Sequence, residues 1–169
     1  MARRLVVLVV AVVALAVLVL GSVDTLVWLP QELAPTTPLA DVYGALDRSG
    51  DLPYSVGNAV VWAGLWSAAT VGYLALLVPE RPRPRAASGP TGPLAAAAVG
   101  ALLLGAIGFL HWWSAFSMAM SVSDELPPGA GGTTGLGAAI VLGGVLAGLA
   151  GAVLGLLVLI RPARRAAPA

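Results

Sequence analysis

The chain holds a single histidine, His111, set in the run Leu110-His111-Trp112-Trp113 within a long uncharged apolar segment. Imidazole can donate, accept, ligate a metal or exchange a proton near neutral pH, so His111 is the first candidate for chemistry. Trp62 and Trp66 stand one helical turn apart in a preceding apolar segment, and Trp113 follows His111 by two residues. Counted from Leu94, His111 is about 25 Å up its helix, near the outer membrane boundary. Trp66 is about 14 Å into its own helix, too deep for a simple interfacial belt. Trp62, Trp66, His111 and Trp113 are therefore expected to line an outward-facing, mostly apolar cavity, the common form of a small-molecule site. The competing expectation is that the indoles fill the bundle core and His111 sits at the interface beside them.

Met118 lies seven residues after His111 on the same helical face, and imidazole with thioether sulfur suits copper(I). A site needs at least one further positioned donor, and haem b would need a second axial ligand from another subunit. No metal or cofactor is expected. The chain has no cysteine, which excludes disulfides, thiol catalysis, iron–sulfur clusters and a lipid-attachment thiol. No nucleophile lies at base spacing, no glycine loop follows a strand, and no carboxylate pair falls within an apolar segment. Asp41, Asp47 and Asp51 are too widely spaced for a calcium loop and read as solvated acids. The sequence gives no reason to expect an enzyme.

The elements that must position His111 follow from composition. Of 169 residues, 59% are hydrophobic and 10% charged, against about 25% charged in soluble domains. Four apolar segments are expected to span a membrane, at about 5–23, 57–78, 94–120 and 134–160, each near the 20 residues a bilayer core needs. Residues 1–169 then form a single four-helix membrane domain, with outer loops 24–56 and 121–133 and a cytoplasmic loop 79–93. Its fold class is an all-α integral membrane protein, a four-transmembrane-helix bundle. Charge alternates along it. Arg3 and Arg4 open the chain, acids dominate Asp24 to Asp51, Arg81, Arg83 and Arg85 follow, then Asp124 and Glu125, then Arg161, Arg164 and Arg165. Arginine flanks mark the cytoplasmic side, so both termini are assigned inside. The absence of lysine beside abundant Ala, Gly, Val and Arg suggests a GC-rich bacterial genome, hence the bacterial cytoplasmic membrane. The arginine stretches are too short for a nucleic-acid surface. The first segment could be a cleaved signal peptide, but its length and the poor Leu20-Gly21-Ser22 cleavage site favour an uncleaved helix.

Within the first outer loop, Leu39, Val42, Tyr43 and Leu46 recur at helical spacing between Thr37-Pro38 and Ser49-Gly50. This predicts a short amphipathic helix on the outer leaflet or over the bundle. Small residues mark helix-packing faces: Gly64, Ala68 and Gly72 in the second segment, and Gly137, Gly144, Gly148, Gly151 and Gly155 in the fourth. An offset of 80 residues superposes these two segments, Gly57 and Gly64 meeting Gly137 and Gly144, which raises the prospect of a duplicated hairpin. The intramembrane segments carry no Asp, Glu or Arg in this reading, which counts against a proton-coupled pump. The expected function is a non-enzymatic accessory or scaffold subunit. It would associate through its glycine faces with a membrane-protein partner or a second copy in the lipid bilayer. The alternatives are a transporter or binder of a hydrophobic or neutral small molecule at the Trp/His cavity, and a metal-site protein centred on His111.

Overall fold

The computed structural model describes residues 2–77, 92–126 and 132–165, and every regular element among them is helical. α1 covers Ala2–Val23 and passes into a π turn, Asp24–Trp28, and then α2, Leu29–Leu33. α3 is Leu39–Ser49, α4 Leu52–Leu77, α5 Pro93–Glu125 and α6 Gly135–Arg165. Three helical stretches, Ala2–Leu33, Pro93–Glu125 and Gly135–Ile160, are long and apolar enough to cross a membrane. The Arg81, Arg83 and Arg85 stretch and positions 127–131 of the second outer loop lie outside the described residues.

The first helix does not stop where the charges begin. It runs through Asp24 to Leu33 because the chain accommodates Pro30 by widening. Proline has no N–H and its ring crowds the carbonyl four residues back. Here the Leu29 N–H bonds instead to the Asp24 carbonyl, five residues back. The carbonyl that Pro30 cannot serve is that of Leu26, and the Tyr43 hydroxyl donates to it at 2.5 Å. Burial pushes the Tyr43 phenol up from its ordinary value, which keeps it a neutral donor.

That bond fastens α3 to the bundle. Val42 and Leu46 of α3 join Leu29, Leu33 and Ala34 around Met118 and Val122 of α5. The amphipathic helix thus packs its apolar side chains against the end of the bundle formed by α2 and the C-terminal part of α5. It starts one residue after Pro38, which occupies the N-cap, and Gly50 ends it in the left-handed region at φ 87°, a conformation glycine adopts without steric cost.

α5 and α6 meet at backbone-contact distance. A Cβ on Gly105 would fall 2.6 Å from Gly148 Cα, and one on Gly108 would fall 2.7 Å from Gly144 Cα. One on Gly151 would fall 2.7 Å from the Leu102 backbone nitrogen. The two backbones touch along a glycine seam, so the packing rests on dispersion where lipid supplies no hydrophobic drive. Gly105 and Gly108, which complete this seam from α5, were not singled out in the sequence. Gly155, Gly64 and Gly72 would each accept a Cβ with nothing within 4 Å.

Candidate functional site

Along α1 the buried positions are Val7, Ala11, Ala14, Leu18 and Gly21, spaced three or four residues apart as one helix face requires. The next positions in that phase are Asp24 and Thr25, both enclosed. The π turn carrying them packs against α4, α5 and α6. Asp24 is 1% exposed and His111 of α5 is 0% exposed, and their Oδ2 and Nε2 atoms lie 3.1 Å apart. The Thr134 hydroxyl donates to the other carboxylate oxygen. Thr134 in turn accepts the Gly137 N–H at 2.8 Å, which serves as a cap at the start of α6. Donors from α5 and α6 therefore converge on a carboxylate from α1. The pair ties three helices at one level.

This arrangement corrects the expectation that no acid enters the helical core. A buried carboxylate is tolerated only when paired and hydrogen-bonded, and both oxygens of Asp24 are so held. With Nε2–H directed to Asp24, the neutral imidazole keeps its lone pair on Nδ1. That atom has no hydrogen-bond partner.

Two glycines make room for the cluster. A Cβ on Gly21 would lie 2.8 Å from the Trp62 ring and 3.1 Å from His111 Nδ1, and a Cβ on Gly137 would lie 2.8 Å from Asp24 Oδ2. Trp62 packs against the imidazole with ring centroids 5.2 Å apart and planes tilted by 53°. Its indole N–H donates to the Ile107 carbonyl at 3.2 Å, which fixes the ring.

Of the four residues expected to line a cavity, three meet in the interior. Trp62 joins Ala14, Leu18 and Ile107, and Trp66 packs against that cluster. Trp113 is 59% exposed on the outside of the bundle. A groove of about 470 Å³ does reach His111, but Trp112, Phe116, Thr133, Gly137 and Val141 line it, between α5 and α6. Trp112 and Phe116 stack along its rim at 5.3 Å.

Met118, the other metal candidate, is fully buried in the apolar cap beneath α3. Among the described residues, no group of three or more His, Cys, Asp or Glu could hold a metal ion. Most of the remaining polar residues behave as satisfied helix side chains. Thr70 donates to the Trp66 carbonyl, Tyr73 to the Ala96 carbonyl, and Asn58 to the Ser117 hydroxyl.

The residues missed in the sequence were Asp24, Thr134 and Gly21. A legible signal existed for Asp24. It is one acid in the phase of the buried face, with the apolar run resuming at Leu26-Val27-Trp28-Leu29. Comparison with protein-family models, with curated proteins and with solved structures found no match.

Proposed function

We propose that the chain is a non-enzymatic, four-pass protein of the bacterial cytoplasmic membrane with both termini in the cytoplasm. In this reading it binds a small hydrophobic or neutral molecule in the α5–α6 groove that ends on His111. α4 is the fourth span. Its 26 residues make a helix about 39 Å long, more than a bilayer core requires. The alternating charge supports the orientation, since arginines flank the inner ends and acids the outer.

One observation carries the binding reading: the groove is lined in part by His111, a residue held in place by a buried carboxylate. Ionisable groups inside a membrane bundle are costly and usually mark a functional site. The groove is otherwise apolar and aromatic, which suits a ligand that partitions from lipid. Ala138 and Val141 line it without taking part in the hydrogen bonds around Asp24, so a bulky side chain there would fill the groove alone. Native mass spectrometry of protein taken gently from its own membrane should find a bound small molecule. Ala138→Trp should lose it while keeping thermal stability. Equal retention of the molecule by Ala138→Trp would exclude the groove.

The scaffold reading keeps one support. Gly64, Ala68 and Gly72 remain uncovered on α4, whereas the α6 glycines from 144 to 151 lie along α5 within the chain itself. Co-purification of a stoichiometric partner in mild detergent, lost with Gly64→Leu and Gly72→Leu together, would favour it.

A further inference from the structure

We infer that the Asp24–His111 pair is a proton-exchange site reached from the outer end of the bundle along the seam between α4 and α5. Three polar atoms at or beside the pair are enclosed and without a hydrogen-bond partner: Nδ1 of His111, Oγ1 of Thr25 and Oγ of Ser114. The great majority of buried polar side-chain atoms are paired, with protein or with ordered water. Internal water makes about three hydrogen bonds to such groups. Thr25 adjoins Asp24 in the chain, and Ser114 lies one turn beyond His111, so the unpaired atoms belong to one region and mark it as a place that takes water.

The outer half of α5 continues the polar series. Ser114, Ser117 and Ser121 follow His111 at three- and four-residue steps, along one side of the helix. Asn58 of α4 donates to Ser117 at 2.8 Å, bridging the two helices. From His111 to Ser121 the rise is about 15 Å, and α5 ends four residues later at Glu125. Beside this series lie the apolar side chains Leu29, Leu33, Val42, Leu46, Met118 and Val122.

Among the described residues, the inner half of α5 carries no equivalent series of hydroxyls. There the buried face of α5 is Ala96, Ala98, Gly100, Gly105, Ile107 and Gly108. The Thr70 and Tyr73 hydroxyls of α4 are spent on carbonyls.

The proton balance is simple. A proton from water at the outer end forms a bond to His111 Nδ1, giving an imidazolium whose Nε2–H still points at the Asp24 carboxylate. Release reverses the step, and no other bond changes. The groups facing the imidazole are Asp24 from the π turn, the Trp62 indole from α4 and Gly21 from α1, while Thr134 and Gly137 face the far side of the Asp24 carboxylate. Asp24 is the ionisable one among them. The inference stands apart from the α5–α6 groove, because the orphaned Nδ1 faces Gly21 and Trp62.

Trp62 supplies a built-in readout, since imidazolium in ring contact quenches indole emission. The test uses the full chain in lipid nanodiscs with Trp28, Trp66, Trp112 and Trp113 replaced by phenylalanine. Acidification from about pH 8 to about pH 4, across the range in which histidine titrates, should at least halve Trp62 emission. His111→Gln should abolish the change. Asn58→Leu should leave its amplitude intact but slow it at least tenfold in stopped flow. Ser114→Ala, which removes a single oxygen, should slow it severalfold and serves if Asn58→Leu misfolds. An emission change that persists in His111→Gln, or no change at all, would overturn the site. Rates unaltered in both seam variants would overturn the route.

Discussion

On α4, Gly64, Ala68 and Gly72 follow the same four-residue spacing as Gly144 and Gly148 on α6. Yet a Cβ at Gly64 or Gly72 would meet nothing within 4 Å, whereas one at Gly144 would lie 2.5 Å from the Phe109 backbone nitrogen. The same holds for the pair that an 80-residue offset would equate: Gly57 faces open space, while Gly137 abuts the Asp24 carboxylate. Small residues permit close approach, and the facing helix decides whether it happens. α5 presents Gly105 and Gly108 to α6. Toward α4 it presents side chains and carbonyls that Trp62, Tyr73 and Asn58 reach through hydrogen bonds. One interface is built from backbone contact, the other from polar side-chain reach. The two hairpins therefore do not share equivalent environments, whatever their ancestry.

The contrast can be broken most forcefully at the glycine seam. Gly144→Leu must drive α5 and α6 apart and should cost roughly 3 kcal/mol, the upper range for overpacking. Gly64→Leu should change stability by less than about 0.5 kcal/mol. Thermal unfolding in one detergent compares the two, and equal losses would dissolve the distinction.

Next in size is the Asp24–His111 pair. Asp24→Leu and His111→Leu each strand the other partner in the core, so their two losses should sum to more than the loss in the double variant. The coupling in a double-mutant cycle should be about 1–2 kcal/mol, as for hydrogen bonds between membrane helices. Additive losses would mean that the two groups do not interact. The smallest effect is expected at the cap. Tyr43→Phe leaves the Leu26 carbonyl without its donor and should cost about 1 kcal/mol. Because burial raises the Tyr43 phenol in the fold, the unfolded chain sheds this proton first as pH rises. Stability should then fall above about pH 10, and part of that slope should vanish in Tyr43→Phe.

Much of the fold was legible because apolar length and helical phase carry it. The amphipathic spacing of Leu39, Val42, Tyr43 and Leu46 marked a helix that the structure packs against α2 and α5. Of the α6 glycines, Gly144, Gly148 and Gly151 lie along α5, whereas Gly155 is open and Gly137 abuts Asp24. Asp24 was misjudged because a charge at the end of an apolar run normally ends the span. The partners that make its burial tolerable, His111 and Thr134, are 87 and 110 residues away in the chain. No local pattern reveals a pairing at that distance. Trp113 was grouped with Trp62 and Trp66 by depth alone, but a 3.6-residue repeat sends adjacent positions to different faces. It is Trp112 that borders the groove at His111.

The central claim is that His111 is held inside the bundle by Asp24. Because the chain has one histidine, uniform ¹⁵N-histidine labelling reports that ring alone by NMR. A single ring form with the proton on Nε2, lost in Asp24→Asn, is the result this structure predicts. A freely exchanging mixture of both tautomers, unchanged in Asp24→Asn, would contradict it.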